Sequence, residues 1–450
     1  MIRTLLISAS ALALAGCASI NPVQRETATD AGLTMPDGYD YAAEVAGLSA
    51  PEQDWWAGFN SADLDALITE ALAANNSLAQ GLANVDASRA SLKTANAAFL
   101  PQASGSLSSS SNTEAGLDDV DASARLSASY QLDLFGANAA SRNAALANLD
   151  AAIFAQRALE LTVQSDVAAG WFNLLAAREQ LAVARRNLGI SERIFQIVQV
   201  RYEAGTISGF DVSSQAAQLA NARARIPQLE SQITSQETAL AILLGRVPQG
   251  YAAPQTDILT IDLPSADPGL PSDLLLRRPD LMQSEASLRA ANANIDAARA
   301  AFFPSIDLGA GLSSVLTGGT DLVGSLSASV AQTIFSGGRL DAQLESAQAR
   351  REGQLAAYRQ SILSALRDVD VSLKAVEANA AREEQLLIAR DAAQDALRAA
   401  EIQYQAGTGD LTSLLNAQQN YFDAANSYVL GRLDRLTAAI NLYVAVGGGY

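Results

Sequence analysis

Two stretches about 200 residues apart follow the same plan, and this duplication limits the fold more than any other feature of the chain. Residues 75–101 read NNSLAQGLANVDASRASLKTANAAFLP and residues 278–304 read RPDLMQSEASLRAANANIDAARAAFFP. Leu78 thus matches Leu281, Ala83 matches Ala286, Phe99 matches Phe302 and Pro101 matches Pro304. Further on, Leu134-Phe135-Gly136 faces Ile334-Phe335-Ser336, and Tyr202-Glu203-Ala204-Gly205-Thr206 faces Tyr404-Gln405-Ala406-Gly407-Thr408. Landmarks in one order at a nearly constant offset mark an internal repeat. Each copy predicts a helix (about 62–98 and 272–301), a helix-to-strand stop at Pro101 or Pro304, and two β runs. A very long helix (about 138–203 and 339–405), a glycine-centred turn and a last helix (about 210–245 and 411–445) complete it. The organisation expected is therefore a leader over 1–16, an N-terminal segment over 17–60, a first repeat over 61–250, a linker over 251–271 and a second repeat over 272–450.

The β runs, about 102–111, 124–135, 305–315 and 324–335, alternate with period two. In the second run Ala124, Leu126, Ala128, Tyr130, Leu132 and Leu134 share one face, and Arg125, Ser127, Ser129, Gln131 and Asp133 share the other. In the third, Ile306, Leu308, Ala310 and Leu312 alternate with Ser305, Asp307, Gly309, Gly311 and Ser313; in the fourth, Leu326, Ala328 and Val330 alternate with serines. The first run is mostly serine. Strands of about ten residues, apolar on one face and polar on the other, suit a barrel wall with lipid outside and water inside; an amphipathic hairpin on a water-soluble domain is the plainer reading. Four strands are too few to close a transmembrane barrel, for which about eight is the minimum. Open edges in lipid would leave backbone groups unpaired. The pattern therefore predicts an oligomer, and strand counting allows two chains with eight strands or three with twelve.

The long helices carry heptads. Leu146, Ile153, Val167, Leu174, Leu181, Leu188 and Phe195 form one seam, interrupted at Glu160. Leu149, Val163, Gly170, Ala177, Ala184 and Val198 form a second, interrupted at Gln156 and Ser191. Leu355, Ile362, Val369 and Val376, with Leu366, Leu373, Ala380 and Leu387, repeat the pattern in the second copy. A period of seven predicts coiled-coil packing. About 65 residues at ~1.5 Å each make a helix of roughly 100 Å, far longer than a bilayer is thick.

The first residues read as an address. Arg3 precedes an apolar run, Leu5 to Ala15, too short to span a bilayer. It ends in Leu14-Ala15-Gly16-Cys17, which resembles the lipobox of bacterial lipoproteins and predicts lipidation of Cys17, the chain's one cysteine. Ala18, rather than an aspartate, follows it, which favours the outer membrane. No later apolar run is long enough for a transmembrane helix, so a closed barrel is the available spanning element. The chain has no histidine, and with one cysteine it has neither a disulfide nor a cysteine cluster for a metal. No nucleophile or acid–base constellation stands out, so neither an enzyme nor any cofactor is expected. A net charge of -18 argues against nucleic acid as a partner. The absence of a Walker-type phosphate loop places energy coupling on another chain.

Residues 270–281, LPSDLLLRRPDL, then supply a specific match. With Trp55-Trp56, Phe59, Arg201-Tyr202-Glu203-Ala204-Gly205, Leu243-Leu244-Gly245 and Phe335-Ser336-Gly337-Gly338, they resemble the NodT-type lipoprotein branch of the TolC-like outer-membrane factors. The signature residues are Leu270, Pro271, Arg277, Arg278, Pro279, Asp280 and Leu281. The resemblance implies a mainly α fold with a transmembrane β-barrel: four strands per chain in a shared twelve-stranded barrel of a homotrimer, continued by a coiled α-helical tunnel in the periplasm. It implies outer-membrane lipid around the barrel, and a periplasmic adaptor (membrane fusion) protein and an inner-membrane transporter as partners. The function implied is a passive exit duct for small molecules; a type I protein-secretion duct, or a coiled-coil scaffold lipoprotein without a pore, are the alternatives. In the family, acidic residues six and nine places after the second turn glycine narrow the tunnel's far end. Counted from Gly407 those places hold Ser413 and Asn416, so this chain departs from the pattern. Asp410 is the candidate substitute, with Asp211 in the first repeat; helix capping is the alternative role for both aspartates.

Overall fold

The computed structural model describes residues 32–41, 54–111, 120–264, 269–316 and 321–449. The expected leader, Cys17 and most of the two loops between paired strands lie outside the described residues. Among these residues the repeats hold seven long helices and four strands. The first has α1 (Ala62–Ala74), α2 (Asn76–Ala97), β1 (Gln102–Ser111), β2 (Val120–Leu132), α3 (Ala137–Glu203) and α4 (Gly209–Leu243). The second has a short turn of helix (Leu274–Arg277), α5 (Pro279–Ala300), β3 (Ser305–Val315), β4 (Leu322–Ala331), α6 (Arg339–Ala406) and α7 (Leu411–Ala445). The chain forms two compact units, each drawing on both repeats: one holds 82–155 and 280–361, the other 35–81, 156–279 and 362–450.

The first unit is built on one antiparallel sheet in the order β1-β2-β3-β4. Strand ends differ from the sequence expectation for local reasons. β2 stops at Leu132 rather than 135 because the Asp133 carboxylate accepts hydrogen bonds from Asn138 N (3.1 Å) and Ala139 N (2.8 Å), turning the chain into the start of α3. β4 stops at Ala331, opposite Ser305, because its partner strand ends there: the residue before Ser305 is Pro304, which has no N–H to give. Both stops are built alike. Phe99 N and Leu100 N donate to carbonyls three residues back (3.1 and 3.0 Å), as do Phe302 N and Phe303 N (3.1 and 3.0 Å), and Pro101 or Pro304 follows.

The second unit holds the larger core. Val167, Leu174 and Leu181 of one heptad seam, and Val163, Ala177, Ala184 and Val198 of the other, are buried on α3. Trp55 and Phe59, in a single 3-10 turn, pack there as well. Trp55 stacks on Tyr443 (5.4 Å between centroids) and donates its Nε1–H to Gln164 Oε1 (3.1 Å), and Phe59 meets Phe172 (5.1 Å). Burying a phenylalanine side chain stabilises by about 1.5–3 kcal/mol, so this aromatic group is a substantial anchor. The segment after α4 is tied down by arginines. Arg178 donates to the carbonyls of Ala253 (3.0 Å) and Pro254 and pairs with Glu237 (2.6 Å). Arg432, itself buried, donates to the carbonyls of Ile258 (3.3 Å) and Ile261 and pairs with Glu383 (3.3 Å), whose other oxygen takes Arg435 (2.6 Å). Pro227 lies inside α4 without ending it.

Each first helix is broken where the sequence suggested continuity. α1 gives way to α2 at Asn75, and the short turn gives way to α5 at Arg278; both residues are extended (ψ 125 and 116°). Asn75 Oδ1 accepts from Ser77 N (2.8 Å) and Leu78 N (3.2 Å), capping α2. Arg278 precedes Pro279, which disfavours helical geometry before it.

Candidate functional site: sheet faces, helical turns and the signature junction

Antiparallel partners point to the same side of a sheet, so the register fixes two faces. On one lie Ser104, Ser127, Gly311 and Ser325 in one row and Gln102, Ser129, Gly309 and Ser327 in the next. Ser104 and Ser127 share a hydrogen bond between hydroxyls (2.9 Å), as do Ser108 and Ser123 (2.9 Å). Glycine on β3 leaves room for the neighbouring serines: a Cβ on Gly309 or Gly311 would lie 2.6 or 2.9 Å from the hydroxyl of Ser327 or Ser325, which would have to turn away. Arg125 and Asp307 are charged residues on this face. The other face is apolar, with Leu107, Leu126, Leu308, Leu312, Leu326 and Val330 all exposed; Leu326 is 90% exposed. Exposed aromatics sit where the strands meet the helices: Phe135 stacks on Phe303 (5.0 Å, 9°), and Phe335 is open. Among the described residues, β1 and β4 are the outer strands and pair on one side only.

The two helical turns are near copies. Gly205 (φ 71°) and Gly407 (φ 77°) take left-handed conformations that side-chain-bearing residues rarely adopt. After the first, Ser208 N donates to Asp211 Oδ2 (2.9 Å) and Asp211 N to Ser208 Oγ (3.4 Å), a capping box for α4. After the second, Asp410 caps α7, accepting from Ser413 N (2.8 Å) and Ser413 Oγ (2.8 Å). The Ser413 N–H and hydroxyl hold the Asp410 carboxyl below the usual carboxylate range. Both aspartates therefore cap helices; Asp410 and Asn416 are exposed, and Ser413 is turned to Asp410. The turns share one apolar cluster of Ile194, Val198, Leu397, Tyr404, Leu411 and Leu414. Arg201 lies over the Tyr404 ring (4.7 Å).

The signature residues form a junction. Leu270 and Pro271 open a 3-10 turn, Asp280 stands in the first turn of α5, and Leu281 is buried. Arg277 lies 3.8 Å from Asp273; Arg278 lies 3.7 Å from Asp368 and donates to the carbonyl of Ala445 (3.1 Å), the last residue of α7. The first repeat holds a neutral version: Asn75, the counterpart of Arg278, donates to the carbonyl of Leu243 (2.7 Å), the last residue of α4. Two residues past each helix end is a left-handed glycine against the other chain segment. A Cβ on Gly245 would lie 2.2 Å from Ala74 O, and one on Gly447 2.8 Å from Arg277 O. Beside the charged version Asp40 N donates to Asp370 Oδ1 (3.2 Å), and burial raises the Asp370 carboxyl and the Tyr39 hydroxyl above their usual ranges. Sequence reasoning passed over Asn75, Tyr39, Asp368 and Asp370; the alignment of Asn75 with Arg278 was the one signal available for any of them.

A sheet apolar on one face and hydroxyl-lined on the other, joined to paired helices of 67 and 68 residues, defines a channel protein of the bacterial outer membrane. The chain belongs to the outer membrane efflux protein family, whose model matches it twice, over residues 67–246 and 270–448. It is 34% identical over 441 residues to the pyoverdine export outer membrane protein OpmQ of Pseudomonas aeruginosa, covering 94% of this chain and 92% of that protein. It is 32% identical to the toluene efflux pump outer membrane protein TtgC of Pseudomonas putida, covering 100% of this chain and 96% of that one. Among solved structures it is similar to the open state of the Neisseria gonorrhoeae MtrE outer membrane channel, with TM-score 0.81, 27% identity and coverage of 96% and 98%. The fold is TolC-like, and the chain is an efflux channel component of the outer membrane. Family and relatives are channel proteins rather than enzymes.

Proposed function

We propose that three copies of this chain form a passive exit duct for small molecules, joined to a periplasmic adaptor and an inner-membrane transporter that supplies the energy. The carrying observation is the four-stranded sheet with both outer strands unpaired on one side and an exposed apolar face. In lipid each open edge needs a partner, and three copies give twelve strands in a closed wall. The serine face then lines water and the leucine face meets lipid. Cys17 carries the lipid, 61–250 and 272–450 are the repeats, and 251–271 joins them. Ser413 and Asn416 stand where the family's acidic rings fall, and Asp410 supplies the charge at the narrow end, with Asp211 on the neighbouring turn. The names of the relatives OpmQ and TtgC speak of pyoverdine export and toluene efflux, and two such different cargoes on similar channels support a cargo set by the transporter. Purified protein in planar bilayers tests the reading: discrete cation-preferring conductance steps are expected, with a three-chain mass in native mass spectrometry. A particle that gives no current in bilayers would favour a scaffold without a pore.

A further inference from the structure

A row of buried amides interrupts the apolar seam just above the two turns. Gln418 of α7 donates from Nε2 to Asn187 Oδ1 (2.9 Å), Asn187 O (3.4 Å) and Ser191 Oγ (2.5 Å) on α3. Gln215 of α4 donates to Ser191 O (3.0 Å) from the other side. Gln215 and Ser191 are 0% and 1% exposed, and Asn187 and Gln418 are buried too. Two helices that follow different turns thus grip the same turn of α3. This explains the seam's break at Ser191.

The fastening of α7 is uneven along its length. At its end Arg278 holds Ala445 O; in its middle Arg432 and Arg435 hold Glu383; then comes Gln418. From there to the turn, α7 presents Leu411, Leu414, Leu415 and Ala417 to the apolar cluster. Apolar contacts are non-directional and tolerate sliding and rotation. A buried amide does not: shifting α7 by one turn, ~5.4 Å, would strand three polar groups without partners. Single polar residues in heptad seams fix register in this way.

We infer that this node is the pivot of the duct's narrow end. α7 from the turn to Ala417, about 10 Å of helix, moves when the duct opens, and α7 beyond Gln418 stays fixed. Gln418 is a positioning residue; it acts on the opening through the register of α7 on α3. The inference rests on the duct reading above.

The test uses the full-length lipidated protein in detergent and in planar bilayers, comparing wild type, Gln418→Leu, Ser191→Ala and the control Gln419→Leu, whose amide bonds to Asp423 within its own helix. Hydrogen exchange in wild type should show fast amides over 404–417 and a step to slow exchange after 418. In Gln418→Leu the step should move up α7 by a turn or more, and open probability should rise at least threefold, with the control unchanged. Ser191→Ala, which removes one acceptor and little volume, should shift both measures the same way, and it decides the question if Gln418→Leu does not fold. A wild-type chain without the step, a variant whose step stays at 418, or exchange that rises evenly over the whole protein would overturn the inference. Lack of current in wild type would count against the duct alone, because the exchange step is read without it.

Discussion

Asp410 is both a helix cap and the candidate charge at the opening, and two substitutions separate these roles. Asparagine keeps an acceptor for Ser413 N and removes the charge; alanine removes both. The permeability ratio of cations to anions, taken from reversal potentials, should fall towards one in Asp410→Asn and Asp410→Ala alike, with faster amide exchange at the start of α7 in the alanine variant only. An unchanged ratio in both would refute the role at the opening. The carboxyl also sets a pH dependence. Its folded-state pKa is lowered by the bonds from Ser413, so its charge and the associated stabilisation are present above the unfolded value and are lost only as pH falls through the lowered one. Cation preference should therefore persist to lower pH than an ordinary aspartate would allow; a loss at a pH above the usual carboxylate range would point to another group. In the core, Phe172→Ala should cost about 3–5 kcal/mol in thermal unfolding, since the ring is fully buried against Phe59.

At the scale of elements, the faces of the sheet can be tested one residue apart. Leu326→Arg puts a charge on the apolar face, at about 2–4 kcal/mol if it sits at mid-bilayer, whereas Ser327→Arg points into the polar face. The yield of membrane-inserted, heat-resistant oligomer should drop for the first and hold for the second; equal yields would mean the faces are assigned wrongly. Gly245→Ala should lower thermal stability, because the backbone is left-handed and the new Cβ would meet Ala74 O. Strands and long helices were legible in the sequence because period two and period seven are local patterns, and the structure places α7 over 411–445 as expected. Their ends were less so. β2 ends where Asp133 turns to cap α3, and β4 ends where β3 has no further residue to offer; both depend on a partner that periodicity does not show. The break at Asn75 was missed because an asparagine inside an amphipathic run gives no warning that its amide will reach Leu243 O, 168 residues away.

For the whole molecule, the expected assembly is three chains, and native mass spectrometry of the detergent-extracted protein should give that mass; a two-chain particle would leave an eight-stranded wall and require a different tunnel. What the amino-acid sequence determined by itself was the duplication, the alternation of the strands, the heptads of the helices and the family, because each is a repeat or a motif readable along a line. What only the tertiary structure decided was which distant residues meet. The register that lines up serines of β1, β2 and β4 with glycines of β3, the paired clamps of Asn75 and Arg278 on two helix ends, and the convergence of Gln215 and Gln418 on Ser191 all join residues far apart in the chain. Buried amides and guanidinium groups take whichever partners the packed helices bring within reach, and that choice belongs to the fold, where leaving such a group unpaired is costly.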